Sequence, residues 1–446
     1  MTRPLMTAAQ PRPILPELLV RVLEAAQPRR LGVVAELLGL HVLVRGVDAA
    51  VGDVVEIQDP ALSRPVYAEV AASGPSGLVC LPMAATTGLR VGMHVRSTGG
   101  PLQIPVGPEL LGRVLDGLGR PLDGGPSLSG LPQVSVENTA PPALSRSRIT
   151  EQLGLGVRAL DTLVPCGRGQ RVAFMAGSGV GKSTLLSMIA RGTDASMSVI
   201  ALIGERGREV REFIENDLGP EGLARSVVIV STSDAPPVER LRAAFVATRI
   251  AEHFRDTGAD VVLMMDSLTR VAMAQREVGL SAGEPPATRG YPPSVFSLLP
   301  RLLERAGSSD RGSITGLYTV LVEGDDLQDP IGDTVRSILD GHVVLSRRLA
   351  TAGHFPSIDV LESISRVSNA VTTPEQRAAA TRLRRLMAAY RDVRELIEIG
   401  AYAPGSDPDV DAAVALRPRI DALLQQDLDS PSRLDDAWRQ LMELVS

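Results

Sequence analysis

The stretch Ala176-Gly177-Ser178-Gly179-Val180-Gly181-Lys182-Ser183 carries the residue types that a polyphosphate site needs. Gly179 and Gly181 let the backbone curl until its N–H groups face inward, toward an anion. A helix starting here adds the positive end of its dipole. Lys182 is placed to reach the outer phosphates of a nucleotide, and Ser183 to offer its hydroxyl to Mg2+. Gly177, Ser178, Gly179, Val180, Gly181, Lys182, Ser183 and Thr184 are therefore the candidate nucleotide-binding residues. Ala176 stands where the pattern usually has its first glycine, a position outside the tight turn at Gly181. Composition supports the reading independently, because Lys182 is the sole lysine among 46 basic residues. Everywhere else the chain uses arginine. A compact ammonium suits a tight phosphate cradle where a planar guanidinium does not.

Two carboxylates extend the chemistry. The apolar run Val261-Val262-Leu263-Met264-Met265 ends in Asp266, the candidate acid on the metal side of a phosphate site. Ser267 follows it, so the water-orienting glutamate that many ATPases place directly after this aspartate must come from elsewhere. The candidate is Glu205, in Gly204-Glu205-Arg206-Gly207-Arg208-Glu209, at the end of another apolar run. A glutamate one water away from the γ-phosphate can orient and polarise that water. No Asn-Lys-x-Asp stretch is present to read guanine, so ATP is expected rather than GTP. Arg366, in Ser363-Ile364-Ser365-Arg366, reads from spacing alone as a surface arginine, with an arginine finger as its other role.

These side chains need a scaffold of strands. Runs near 171–176, 198–203, 226–231, 261–265, 313–321 and 341–345 read as strands, and 183–191, 207–217, 238–256 and 294–305 as helices. Apolar strands with interleaved amphipathic helices imply a parallel sheet covered on both faces, with ligands at the carboxyl ends of its strands. Residues 31–97 differ: short Val-rich runs alternate with turn residues, which predicts a small β-barrel or sandwich. Residues 98–148 are rich in Gly and Pro and read as a connecting segment with little regular structure, leading into a nucleotide-binding domain over 98–372. From 373 to 446 strands vanish and three helices are expected, the last burying Trp438. Residues 1–30 read as a tail with a short amphipathic helix around Leu15–Leu23.

With 446 residues, a net charge of −6 and 3% aromatics, the chain has length for several domains and no electrostatic or stacking basis for nucleic acid binding. Cys80 and Cys166 lie too far apart for a metal or redox motif, and no run approaches a membrane span. A cytoplasmic protein is expected.

Four longer motifs resemble a known family. They are the stretch from Gly204 to Phe213, Met265-Asp266-Ser267-Leu268-Thr269-Arg270, the stretch from Gly283 to Ser294, and Leu339-Asp340-Gly341-His342. Together they are similar to the flagellar protein export ATPase and its sister, the type III secretion ATPase, both relatives of the catalytic subunit of the rotary ATP synthase. The resemblance runs from about residue 31 to the C-terminus. It implies a RecA-like P-loop core between an N-terminal barrel and a C-terminal α-helical domain, in a homohexameric ring with Mg-ATP between subunits. Carried over, Lys182 and Ser183 bind phosphates and Mg2+, Glu205 is the catalytic carboxylate, Asp266 the metal-side acid, and Arg206 helps hold the catalytic face. Phe355 matches the aromatic that packs on adenine. Arg366 matches the finger that reaches a neighbour's γ-phosphate. The implied partners are a central stalk protein, a stator-like negative regulator on the N-terminal helix, export-gate membrane proteins, and export chaperones with their substrates. The implied place is the cytoplasm, peripheral to the inner face of the cell membrane. The alternatives within this reading are a virulence (injectisome) ATPase and a rotary synthase subunit; outside it, an ATP-binding assembly scaffold or a RecA-like helicase.

Overall fold

The computed structural model describes residues 30–59, 64–322 and 329–446. The expected helix around Leu15–Leu23 lies outside the described residues. The chain divides into a smaller unit, which holds the barrel strands, and a larger one of Pro82–Ala85 with Pro101–Ser446.

In the smaller unit six strands close a barrel: Gly32–Leu38, His41–Arg45, Val54–Gln58, Val66–Gly74, Gly77–Pro82 and His94–Ser97. The first pairs antiparallel with both the second and the last, which removes the open edges. Alternation drives it. Val66, Ala68 and Val70 are buried while Tyr67 and Glu69 are only partly so, the period-2 pattern of a strand with one face on a core.

In the larger unit a nine-stranded sheet runs in the order Ile358–Ser365, Gly341–Leu345, Arg171–Ala176, Ser313–Leu321, Asp260–Asp266, Met197–Ile203, Ser226–Ser231 and Val114–Asp116, with Gly307–Ser308 paired beside it. The interior pairs are parallel. Met197–Ile203 is buried along its whole length, and its side chains divide between two cores. Val199, Ala201 and Ile203 face one, and Ile200 and Leu202 the other. Such a strand shows no amphipathic alternation, because helices cover both faces. The helix Lys182–Gly192 lies on the second core, as do residues of the C-terminal helices Pro374–Glu398, Pro408–Leu424 and Leu434–Val445. Trp438 is buried there and its Nε1 donates to Gln152 Oε1 at 3.1 Å.

Three expectations are corrected. The segment 98–148 is not a bare strap: Gln103–Pro105 pairs with Gln133–Ser135, and Val114–Asp116 joins the main sheet parallel to Ser226–Ser231. Three-residue strands are too short for periodicity to register, and Arg113 on Asp123 at 2.7 Å pins this one. The helix expected over 207–217 is α-helical for Gly207–Glu212, winds into a π-helical turn over Phe213–Leu218, and breaks at Gly219, whose φ is 65°. Finally, Ile358–Ser365 forms an unforeseen antiparallel edge strand on Gly341–Leu345. Asp359, Glu362 and Ser365 are at least partly exposed, although Ser363 is buried, so the strand carries no plain apolar run.

Candidate active site

The loop follows directly from the end of strand Arg171–Ala176 and passes into the helix Lys182–Gly192. Gly179 (φ 76°) and Gly181 (φ 90°) both occupy the left-handed region. A Cβ would strain the backbone there, so glycine is required for conformation. Val180 is buried and anchors the loop, while Ser178, Gly179, Ser183 and Thr184 are exposed. The loop is tied from outside as well: Ser357 Oγ donates to the Val180 carbonyl at 2.6 Å, and Arg347 Nη1 to the Ser178 carbonyl at 3.2 Å.

Three sequence-predicted groups converge. Lys182 Nζ donates to Asp266 Oδ1 at 2.6 Å and to Glu205 Oε1 at 3.1 Å. Asp266 ends its strand, two places across the sheet from the loop strand. Thr319, on the strand between them, donates its hydroxyl to Asp266 Oδ1 at 2.7 Å. Glu205 follows Met197–Ile203, and its carbonyl accepts from Ser233 N at 3.0 Å. Burial works against a charged Lys182, but Asp266 and then Glu205 offset it and hold the ammonium's pKa above the ordinary lysine value. The sole lysine is thus charged and held between two carboxylates, where a nucleotide's phosphates can exchange with them.

Phe355 lies at the same end of the sheet. Two of its ring carbons sit 3.5 Å from where a Cβ on Gly181 would be, and the residue is 44% exposed. Ser183 presents its hydroxyl in the first turn of the loop helix. With Asp266 this is an all-oxygen donor set, which suits Mg2+. Among the described residues no group of three or more His, Cys, Asp or Glu could hold an ion alone.

Two predicted residues stand apart. The Arg206 side chain is 80% exposed and pairs with Glu209 at 3.4 Å, so the structure does not bring it to Lys182; at the N-cap of a short helix it turns outward. Arg366 is remote for a topological reason. In register, Ala176 lies beside Leu345 and Leu345 beside Ile358, whereas Ser365 lies beside Gly341. The edge strand therefore carries the chain from the loop end of the sheet to the opposite end, about 24 Å at about 3.4 Å per residue. Arg366 is exposed there, with Nη2 donating to the Arg336 carbonyl at 3.3 Å.

Sequence reasoning missed Arg270. Its stem packs within 2.9 Å of where a Cβ on Gly204 would fall, and its Nε is buried without a hydrogen-bond partner. The residue is only partly buried and its Nη1 donates to Met273 Sδ at 3.8 Å, so the side chain packs on the backbone just before Glu205 with its Nε left over for a further acceptor. The signal was its place four residues after the strand-ending Asp266, inside a motif whose arginine had been given no role.

A parallel sheet whose glycine loop feeds a helix, with a strand-ending Asp two places across, defines a P-loop nucleotide hydrolase core. Residues 156–365 match the ATP synthase alpha/beta family, nucleotide-binding domain, and residues 372–443 match the T3SS EscN ATPase C-terminal domain. The chain is 49% identical to the flagellum-specific ATP synthase of Bacillus subtilis (strain 168), covering 94% of this chain and 95% of that protein. It is 48% identical to the type 3 secretion system ATPase of Xanthomonas euvesicatoria, covering 97% and 98%. It superposes on the assembled ATPase EscN of the enteropathogenic E. coli type III secretion system with a TM-score of 0.88, at 46% identity over 93% of this chain and all 100% of that one. A second structure holds EscN in complex with its central stalk EscO, with a TM-score of 0.87 and 45% identity over 93% of this chain and 100% of that one. The chain belongs to the family of flagellar and type III secretion export ATPases. It is an ATP-hydrolysing enzyme of protein export.

Proposed function

We propose that this chain hydrolyses Mg-ATP at the Lys182 loop to energise export of flagellar proteins, and that it works as a homohexameric ring whose copies complete one another's sites. The observation that carries the reading is the Lys182 ammonium held between Glu205 and Asp266. When a triphosphate enters, the backbone N–H groups of Gly177 to Lys182 cradle it, and Lys182 turns from the carboxylates to the outer phosphates. Release of Lys182 leaves Glu205 free to accept a hydrogen bond from the attacking water and orient it. Mg2+, held by Ser183 and Asp266 together with the nucleotide, would supply positive charge at the phosphate oxygens. Thr319 keeps Asp266 aimed, and Arg270 meets negative charge beside Glu205. Phe355 stacks on the base, and Arg366 serves the neighbouring copy.

The ring and a central stalk partner are supported by the likeness to EscN, solved as an assembled ATPase and with its stalk. A stator-like regulator, export-gate proteins and chaperone–substrate complexes extend the same reading, as does peripheral attachment to the cell membrane. Among the described residues no helix is long and apolar enough to cross a membrane. The flagellar assignment draws on relatives named flagellum-specific in Bacillus subtilis, Treponema pallidum and Salmonella typhimurium. A virulence secretion ATPase is the second reading, favoured by the 48% identity to the Xanthomonas protein.

The test is Glu205→Gln. Turnover of Mg-ATP should fall roughly 10²–10⁴-fold with nucleotide affinity retained or raised, since one competitor for Lys182 loses its charge. In cells the variant should block filament growth; loss of effector secretion with normal filaments would select the virulence reading. Full turnover in Glu205→Gln would remove the glutamate from the chemistry.

A further inference from the structure

Phe355 is gripped by more than the phosphate loop. Its carbonyl accepts from the backbone N–H of Gln426 at 3.0 Å. Gln426 lies just beyond the helix Pro408–Leu424, in the C-terminal region, and is 7% exposed. Both ends of its amide are engaged. Nε2 donates to the Gly156 carbonyl at 2.7 Å and to the Ser430 carbonyl at 2.8 Å, and Oε1 accepts from Arg158 N at 2.9 Å. A single orientation of the amide satisfies two carbonyls and one N–H.

The anchors are firm. Gly156 has φ 77°, and a Cβ there would fall 2.6 Å from Gly192 Cα, so this loop lies directly on the last residue of the phosphate-loop helix. Arg158 also closes the preceding helix: its Nε donates to the Leu423 carbonyl at 2.8 Å, and its Nη2 lies hard against the Gln425 carbonyl. The neighbouring side chains repeat the link. Gln425 Nε2 and His354 Nδ1 are 3.3 Å apart, next to Phe355 in sequence. One buried residue therefore joins the far end of the phosphate-loop helix and the C-terminal region, through its side-chain amide, to the aromatic loop, through its backbone N–H.

We infer that Gln426 is a positioning residue for the nucleotide site, its side-chain amide fixing the backbone N–H that holds Phe355 where the ring meets the base. The inference rests on the stacking role given to Phe355 above. Gln426 bonds to Gly156, Arg158, Ser430 and Phe355, none of them a phosphate ligand. Displacing it loosens the base side of the site and spares the phosphate side. Any partner that pulls on the C-terminal helices thereby acquires control over nucleotide affinity.

The experiment compares two ligands on the full-length chain by calorimetry: a non-hydrolysable ATP analogue and Mg-tripolyphosphate, which has no base. In Gln426→Ala the analogue should bind about five- to tenfold more weakly, and tripolyphosphate within about twofold of wild type. Retained tripolyphosphate binding also reports that the core is folded. Gln426→Glu, which sets an acceptor against two carbonyls at nearly constant size, should reproduce the loss. Phe355→Ala should weaken the analogue about tenfold, and adding Gln426→Ala to it should cost nothing more. Equal weakening of both ligands would make Gln426 merely structural and overturn the inference. So would unchanged analogue binding in both Gln426 variants, or losses that add in the double variant. Failure of the stacking role is read from a different variant: Phe355→Ala binding the analogue like wild type.

Discussion

Arg366 offers the sharpest test of how the site is completed. The strand Ile358–Ser365 starts beside the loop end of the sheet and finishes at the other end. About 24 Å of extended chain separates the two ends, several times the reach of an arginine side chain. Arg366 therefore cannot serve the phosphates bound by its own loop. In Arg366→Ala, nucleotide affinity should stay within about twofold, while turnover falls roughly 10³–10⁵-fold, the value of an arginine finger. That is about 4–7 kcal/mol of transition-state stabilisation. Lys182→Ala should be inactive from the opposite side of the interface. Mixing the two variants one to one then gives a quantitative expectation. An interface is intact when the loop of an Arg366→Ala copy meets the arginine of a Lys182→Ala copy. The chance is one half times one half, so about a quarter of the sites regain activity if assembly is random and the sites act independently. The assay is steady-state ATP hydrolysis on rings whose mixed composition is verified by native mass spectrometry. Verified mixed rings that stay as inactive as either variant alone would refute action in trans.

Two further outcomes follow from charges paired in the structure. Lys182→Ala strips the cation from Asp266, whose side chain is only 3% exposed. The free chain should lose about 3 kcal/mol in urea denaturation, and Asp266→Asn added to it should restore most of the loss; a double variant no more stable than the single one would show that the carboxylate does not need Lys182. Asp123 accepts from Arg113 Nε at 2.7 Å and Nη2 at 2.8 Å, and the Arg113 guanidinium holds its carboxyl well below the ordinary value of 3.8. A depressed acid stabilises the fold above that ordinary value and loses its contribution as the pH falls through the folded pKa. The stability gap between wild type and Asp123→Asn should therefore be constant near neutrality and shrink below about pH 4, as read by denaturation at several pH values; a gap that does not narrow in acid would refute the assignment.

The phosphate loop was legible from the chain alone, because its chemistry is local. Glycines that tolerate positive φ, a lysine and a serine must be consecutive to work, so the spacing displays them. The fully buried strands of the sheet were equally plain, since packing on both faces demands unbroken apolar runs. The barrel showed through its alternation. What folding alone decided is which distant side chains meet. Residues 182, 205 and 266 are joined because the strands that lead to them finish at the same end of one parallel sheet, and Thr319, on the strand between two of them, and Arg270 enter because they lie within reach of that end. The same geometry turns Arg206 outward and sends Arg366 to the far end of the sheet. It also leaves Gln426, ordinary in the sequence, holding the aromatic loop through its backbone N–H while its side-chain amide is fixed by Gly156 and Arg158, far back along the chain, and by nearby Ser430. Hydrogen bonds of that kind have no period and no spacing rule, so only the packed structure can reveal them.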